Sequence, residues 1–215
     1  LAVPLGINIG ANKDSANRIE DYAKGTAAMA HLADYLTVNI SSPNTPGLRA
    51  LQDRGALEEL LDAVNGAQSA NPKPVFLKVA PDLEPADIED IVSVAHSRHL
   101  AAIIISNTTI ERPTLASRHA GEAGGLSGAP LRTLSTQRLR DFRAASGGEI
   151  ALIAAGGIAN ADHAWERICA GASVIQIYSA MVYEGPVLAQ RIAKGLEERA
   201  KRAGFANIAE AVGSA

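Results

Sequence analysis

The chain has 215 residues and a formal net charge of -3, with 20 Lys and Arg residues against 23 Asp and Glu residues. Hydrophobic residues make up 47% of the chain, which is the composition of one ordinary globular domain. The absence of a Lys/Arg block argues against a nucleic-acid partner, and a single cysteine excludes an internal disulfide. The longest apolar run, residues 100–105, is far shorter than the roughly 20 residues of a transmembrane helix, so we expect neither a transmembrane segment nor a signal peptide.

Short apolar runs rich in β-branched residues recur along the chain and predict six strands with both faces buried. These runs are residues 3–9, 35–40, 75–79, 101–105, 151–154 and 174–177. Segments with the apolar spacing of amphipathic helices lie between them, as at residues 19–30, 57–64, 88–95 and 187–196. Strands that alternate with helices, without hairpin signals, predict right-handed crossovers and a parallel sheet of six βα units.

Two architectures are compatible with this pattern, an open doubly wound sheet and a closed (β/α)₈ barrel. Almost every predicted strand ends in a small or polar cluster, whereas an open sheet concentrates its ligand contacts at one switch point. The sequence therefore predicts an α/β fold of the TIM-barrel type, with about the last six βα units present. Because the chain begins at Leu1, almost directly in a strand, we expect the first two units to lie upstream and residues 1–215 to be one N-terminally truncated barrel domain.

Residues 39–49 run from a buried strand into a loop with several hydrogen-bonding side chains and two prolines. The prolines stiffen this loop because each fixes its own φ and restricts the preceding residue. Asparagine side chains offer a donor and an acceptor, which suits the imide and carboxylate groups of a small polar ring. Each residue type is also an ordinary turn former, but their combination at a strand end predicts a binding site.

Lys78 lies at the end of an apolar strand, where its ammonium should be partly desolvated and needs an anionic partner or a shifted pKa. A surface lysine that snorkels to solvent is the alternative.

Residues 124–128, 156–157 and 173–179 would follow the sixth, seventh and eighth barrel strands. Loops after the last two strands of such barrels often hold a phosphate, so these segments predict a phosphate-bearing ligand.

Other reactive side chains do not form a predicted site. The five histidines show no metal-ligand spacing and none lies at a predicted strand end, so we assign them to helices or loops and predict no metal site. Cys169 is predicted to be a small core residue rather than a nucleophile. The acidic residues Glu84, Asp87, Glu89 and Asp90 predict an exposed first helical turn that complements the helix dipole.

Taken together, the motifs resemble one family, the FMN-dependent dihydroorotate dehydrogenases, and within it the membrane-associated, quinone-reducing class 2. The matching segments span most of the chain in the family's order, and residues 39–48 are the most specific of them. The segments are residues 5–14, 39–49, 78–83, 106–109, 124–128, 156–158 and 176–179. Class 1 enzymes place a cysteine where this chain has Ser42, which favours class 2.

The resemblance implies oxidation of dihydroorotate to orotate in de novo pyrimidine biosynthesis, with a hydride passed to FMN and electrons then passed to a respiratory quinone. In that family Ser42 would be the catalytic base that removes the C5 proton of dihydroorotate while a hydride leaves C6. The resemblance further implies a peripheral protein on the cytoplasmic face of a bacterial inner membrane, or on the mitochondrial inner membrane. Contact with the membrane would come from a region N-terminal to this chain.

Binding roles are also implied by the resemblance. Contacts to the orotate ring would come from Asn39, Asn44, Asn107 and Thr108. Contacts to FMN would come from Asn8, Asn39, Lys78, Ser106, Gly128, Gly157, Tyr178 and Ser179, of which the last four would surround its phosphate. Lys78 would stabilise negative charge that develops on the reduced flavin.

Three other interpretations remain open. The first is a soluble class 1-type enzyme or a related FMN barrel oxidoreductase, against which Ser42 argues. The second is a non-redox phosphate-binding barrel, which would usually place carboxylates at its strand ends, where this chain has Asn, Ser, Thr and Lys. The third is a truncated product without catalysis. Because an open arc exposes strand edges, we expect residues 1–215 by themselves to be poorly stable and inactive.

Overall fold

The computed structural model describes residues 3–68 and 71–215 and contains one parallel sheet of six strands. The strands are β1 (Gly6–Ile9), β2 (Tyr35–Asn39), β3 (Val75–Val79), β4 (Ala102–Ile105), β5 (Leu152–Ala154) and β6 (Ala172–Ile175). They pair strictly in chain order, with every neighbouring pair parallel. Each predicted strand is therefore present, and the order never reverses as it does at the switch point of an open doubly wound sheet.

Helices follow the strands, as the apolar spacing predicts. They are α1 (Arg18–Met29), α2 (Arg54–Gly66), α3 (Pro85–Ser97), α4 (Arg132–Ala145), α5 (Ala161–Cys169), α6 (Ser179–Glu184) and α7 (Val187–Arg202). The start of α3 confirms the predicted acidic first turn, since Glu84 and Asp87 form a reciprocal capping box there. Within the described ranges, no helix has the length and apolarity needed to cross a membrane.

The core has two parts because successive strand residues point to opposite faces of the sheet. On the helix side, fully buried residues such as Leu36, Leu77 and Ile103 join one large cluster with the apolar face of α2. On the other side a small cluster holds Ile104, Ile153 and their neighbours. Apolar burial on both faces explains why the central strands read as continuous apolar runs.

The prediction that every strand is buried on both faces is wrong for β1 and β6. In the described part of the chain each has a single neighbouring strand, and Val174 of β6 is 52% exposed. The last strand also occupies residues Ala172–Ile175 rather than 174–177, because its pairing with β5 begins at Ala172, opposite Leu152, and continues after a register shift. The first strand begins at Gly6 rather than at Val3.

Candidate active site

A cleft with a volume of about 790 Å³ lies along one face of the sheet and extends to the carboxyl ends of the strands. Because parallel strands all point the same way, the loops that follow them meet at this end of the sheet. Alternate strand residues face the cleft, and the register places Asn8 beside Thr37 and Asn39 beside Lys78. The two-residue period of the strands thus brings polar side chains from β1, β2 and β3 onto one wall.

Most of the site residues predicted from the sequence lie on the wall of this cleft. They are Asn8, Asn39, Lys78, Ser106, Asn107, Thr108, Gly128, Gly157, Tyr178 and Ser179. Ser42 and Asn44 do not line the cleft and lie in the loop after β2, where Asn44 is exposed and Ser42 half-buried. The backbone N–H of Asn44 donates to the Ser42 hydroxyl at 3.3 Å.

Asn39 and Asn107 are held in place by a shared set of hydrogen bonds. The side-chain oxygen of Asn39 accepts from the Ser41 hydroxyl at 3.0 Å and from the Asn107 amide at 3.2 Å. The Tyr22 hydroxyl donates to the Asn39 carbonyl at 2.6 Å. Since the Asn39 amide nitrogen donates to no other described residue, its two N–H groups remain available to a ligand in the cleft.

Lys78 places a half-buried cation in the wall of the cleft. Burial lowers the pKa of Lys78 below its ordinary value, and no carboxylate in the described ranges offsets that effect. The prediction of a partly desolvated lysine is therefore confirmed. A cation that lacks a protein counter-ion fits an anionic or electron-rich ligand.

Arg49 ties the loop after β2 to two neighbouring loops. Its guanidinium donates to the Ser41 carbonyl at 3.3 Å, pairs with the Asp82 carboxylate at 2.7 Å and donates to the Thr108 carbonyl at 3.0 Å. Asp82 also accepts a hydrogen bond from the Thr109 hydroxyl. One side chain thus joins the loops after β2, β3 and β4. Sequence reasoning missed this role, because the only signal was the position of Arg49 at the end of the polar segment.

We expect Arg49→Met to lower the free energy of unfolding by about 1–3 kcal/mol, because the Asp82 carboxylate, only 12% exposed, would lose its counter-ion. Arg54→Met is the matched control. Arg54 is 56% exposed and pairs with Glu58 and Asp90 at the protein surface, so we expect a change below about 0.5 kcal/mol. Urea unfolding of both variants in the full-length protein measures the two changes in the free energy of unfolding. Equal destabilisation by the two substitutions would contradict the role of Arg49 in joining the three loops.

Two glycines permit close packing around the cleft, one between the loops after β2 and β4 and the other between the loop after β5 and the start of α4. A Cβ on Gly125 would overlap the Thr108 side chain and lie 2.8 Å from Pro43, so the loop after β4 rests directly on the loop after β2. A Cβ on Gly157 would lie 2.7 Å from the Cα of Arg132, and Gly157 has a φ of +70°. Only glycine satisfies both requirements at that position.

The three loops predicted to bind a phosphate meet at one end of the cleft. The Ser179 hydroxyl, after β6, donates to the Ser127 hydroxyl, after β4, at 3.0 Å. Gly157, after β5, packs against Arg132 at the start of α4. Gly128 has a φ of +77°, with open space where a Cβ would lie. Backbone and hydroxyl groups of this kind are typical of anion sites.

His163 is a cleft residue that sequence reasoning missed. Its assignment to a helix is confirmed, since it lies in the first turn of α5, but its side chain also lines the cleft. The imidazole Nε2 lies 2.9 Å from the Arg132 guanidinium, which pairs with Glu166 at 3.0 Å. Burial and the Arg132 charge lower the pKa of His163 below its ordinary value. The available signal was its position six residues after Gly157, in the loop-to-helix segment that follows β5.

Cys169, predicted to be a core residue, is half-buried at the last position of α5 and does not line the cleft. Its surroundings therefore assign it no part in the site. Across residues 3–68 and 71–215, no three His, Cys, Asp or Glu side chains are grouped as metal ligands.

Comparison with known proteins finds similarity along almost the whole chain. The family model described as dihydroorotate dehydrogenase matches residues 2–200. Dihydroorotate dehydrogenase (quinone) of Sphingopyxis alaskensis is 75% identical over 100% of this chain and 60% of its own length. The protein of the same name from Novosphingobium aromaticivorans is 70% identical over 98% of this chain and 60% of its own length.

A similar fold is found among solved structures. The crystal structure of ligand-free type DHODH from Eimeria tenella superposes with a TM-score of 0.93 at 38% identity, covering 98% of this chain and 64% of that one. The predicted α/β fold of the TIM-barrel type is confirmed by this match and by the strand order. The chain spans about 60% of the length of the curated relatives that it matches.

Proposed function

This chain belongs to the dihydroorotate dehydrogenase family, and on that premise we propose that the protein oxidises dihydroorotate to orotate in pyrimidine biosynthesis and passes the electrons to a quinone. One observation carries the proposal. Lys78, a half-buried cation without a counter-ion in the described chain, faces a cleft whose other polar groups are amides, hydroxyls, glycine backbone and the His163 imidazole. A neutral polar wall around one cation suits a planar, electron-accepting heterocycle beside a small carboxylate.

The electron acceptor in the cleft is proposed to be FMN. The groups at its glycine-rich end fit a phosphate, because Gly128 leaves open space beside its backbone and the Ser127 and Ser179 hydroxyls lie 3.0 Å apart. When bound, FMN supplies hydride acceptance from the substrate and electron transfer to the quinone. Among residues 3–68 and 71–215, no Asp or Glu side chain that would favour acid–base chemistry on a sugar phosphate lines the cleft.

Each part of the cofactor is assigned to a different part of the cleft. Asn8, Lys78 and Ser106 are proposed to contact the isoalloxazine and ribityl parts. Phosphate contacts are proposed from Gly128, Gly157, Tyr178 and Ser179. Lys78 would hold its positive charge where negative charge develops on the reduced ring, and a charge placed in advance needs no reorganisation during the reaction.

Dihydroorotate is proposed to bind Asn39, Asn44, Asn107 and Thr108, with Ser42 as the base that takes the C5 proton. The free N–H groups of Asn39 and the fixed Asn107 side chain suit the ring carbonyls and carboxylate. A serine hydroxyl is a weak base in water, so Ser42 requires a dry loop and a proton relay through Thr45 or a bound water. We propose that the loop after β2 acts as a lid that provides this environment.

The protein is also proposed to be peripheral to the cytoplasmic face of a bacterial inner membrane. Support comes from the bacterial relatives, whose names identify them as quinone enzymes, because respiratory quinones dissolve in the lipid phase. Membrane contact is assigned to a part of the protein N-terminal to these residues.

A visible absorbance spectrum of the full-length protein, recorded before and after anaerobic addition of dihydroorotate, tests this function. We expect an oxidised flavin band that dihydroorotate bleaches and that a soluble quinone restores. A flavin band insensitive to dihydroorotate would instead indicate another flavin oxidoreductase. A colourless protein that FMN cannot reconstitute would indicate a non-redox phosphate-binding barrel.

A further inference from the structure

Arg167 on α5 is fully buried, yet no carboxylate in the described ranges forms an ion pair with it. One of its terminal nitrogens lies 2.9 Å from each of three oxygens, the Arg132 carbonyl, the Ser135 hydroxyl and the Gly156 carbonyl. Its Nε and its other terminal nitrogen have no hydrogen-bond partner among the described residues. The arrangement leaves a buried positive charge that only neutral oxygens solvate.

The surroundings of Arg167 raise the cost of that charge. Burial lowers the pKa of Arg167 to about 10, and the nearby Arg132 and Arg140 side chains act in the same direction, opposed by Glu166. The group nevertheless stays protonated at neutral pH. A buried cation is normally retained where an anion or a ligand offsets its desolvation.

The peptide between Gly156 and Gly157 connects Arg167 to the cleft. This peptide is trans, so the Gly156 carbonyl and the Gly157 N–H point in opposite directions. Arg167 holds the carbonyl from the buried side, which turns the N–H away from that side. Both glycines line the cleft, and the Gly157 N–H donates to no other described residue.

We propose that Arg167 is a positioning residue for the anion bound at this end of the cleft. It holds the Gly156 carbonyl so that the Gly157 N–H is directed at the ligand's phosphate. Its positive charge lies on the buried side of the loop after β5. Arg167 itself does not line the cleft and acts through the glycine pair. This inference rests on the proposed flavin function, because that function supplies the phosphate.

Affinities of the flavin-free, full-length protein for FMN and for riboflavin test the inference, since riboflavin lacks the phosphate. We expect Arg167→Met to weaken FMN binding about 10- to 100-fold, the range for a charge-assisted hydrogen bond. The affinity for riboflavin should change less than about threefold, because a substitution far from the groups that bind the ring has only a small effect on binding of the ring. Equal weakening of both flavins would show a general structural role and overturn the inference, as would an unchanged preference for FMN.

Two further variants separate charge from packing. Arg167→Lys keeps a cation at this position, so this variant should retain most of the wild-type preference for FMN over riboflavin. Arg138→Met is the matched control, because Arg138 also donates to a backbone carbonyl, that of Leu83 at 2.6 Å, but away from the glycine pair. It should leave the preference unchanged, and a loss as large as that of Arg167→Met would overturn the inference.

Arg167→Gln keeps the protein testable if the methionine variant does not fold. Its neutral amide can still donate to Gly156 but carries no charge, so the preference for FMN should fall at least about fivefold; an unchanged preference would overturn the inference.

A wild-type protein that binds FMN no better than riboflavin would contradict the proposed cofactor. A wild-type preference that survives in all Arg167 variants would overturn only the role of Arg167.

Discussion

Replacement of Ser42 by alanine is expected to slow reduction of the bound flavin by dihydroorotate about 10²- to 10⁴-fold, the usual loss when a general base is removed. FMN binding should stay nearly intact, because Ser42 lies in the loop after β2 and does not line the cleft. Its hydroxyl accepts only the Asn44 N–H among described residues, so the substitution leaves no buried group without a partner.

Anaerobic stopped-flow absorbance measures this rate directly, and equilibrium titration measures FMN affinity in the same variant. Ser117→Ala provides the matched control, since Ser117 is exposed in the loop between β4 and α4. It should leave the rate unchanged. An undiminished rate in Ser42→Ala would assign proton removal to a different group.

Replacement of Lys78 by methionine is expected to slow flavin reduction about 10²- to 10³-fold, as when one preorganised stabilising group is removed from an active site. The reason differs from that for Ser42. Lys78 faces the cleft without a protein counter-ion in the described chain, so its charge would be available to the reduced ring of the proposed FMN. Methionine has a similar length and is apolar, which removes the charge and conserves most of the packing.

The midpoint potential of the bound flavin separates this effect from misplacement of the substrate. Loss of Lys78 should make the potential more negative, because the reduced flavin loses a stabilising cation. Lys24→Met is the control, since Lys24 pairs with Glu20 on the exposed face of α1 and should alter neither quantity. A slower reduction with an unchanged potential would contradict the electrostatic role and leave Lys78 as a substrate contact.

The central strands show how far local sequence determines this fold. Residues 75–79 form β3 over the predicted range, because one face of the strand is buried, the other is half-buried, and Pro74 and Pro81 lie on either side of the run. The last strand begins two residues earlier than predicted, since its pairing with β5 sets its position. Pairing with a neighbouring strand is a property of the sheet, so apolar run length alone is an incomplete guide.

Strand order and the polar lining of the cleft were also predictable from the sequence alone. Polar residues at strand ends predict a site, because parallel strands bring their carboxyl ends together whatever the details of packing. Asn8, Asn39 and Lys78 meet on one wall for that reason. The choice of a flavin, in contrast, depended on the resemblance to a family and not on any spacing.

Only the tertiary structure decided which distant side chains support the site. Arg49 pairs with Asp82, which lies 33 positions away in the sequence, and Arg167 on α5 donates to the Gly156 carbonyl in the loop after β5. His163 lines the cleft although it belongs to a helix. Local sequence encodes burial and backbone preference, whereas such contacts depend on how helices pack over the sheet, which no single segment specifies.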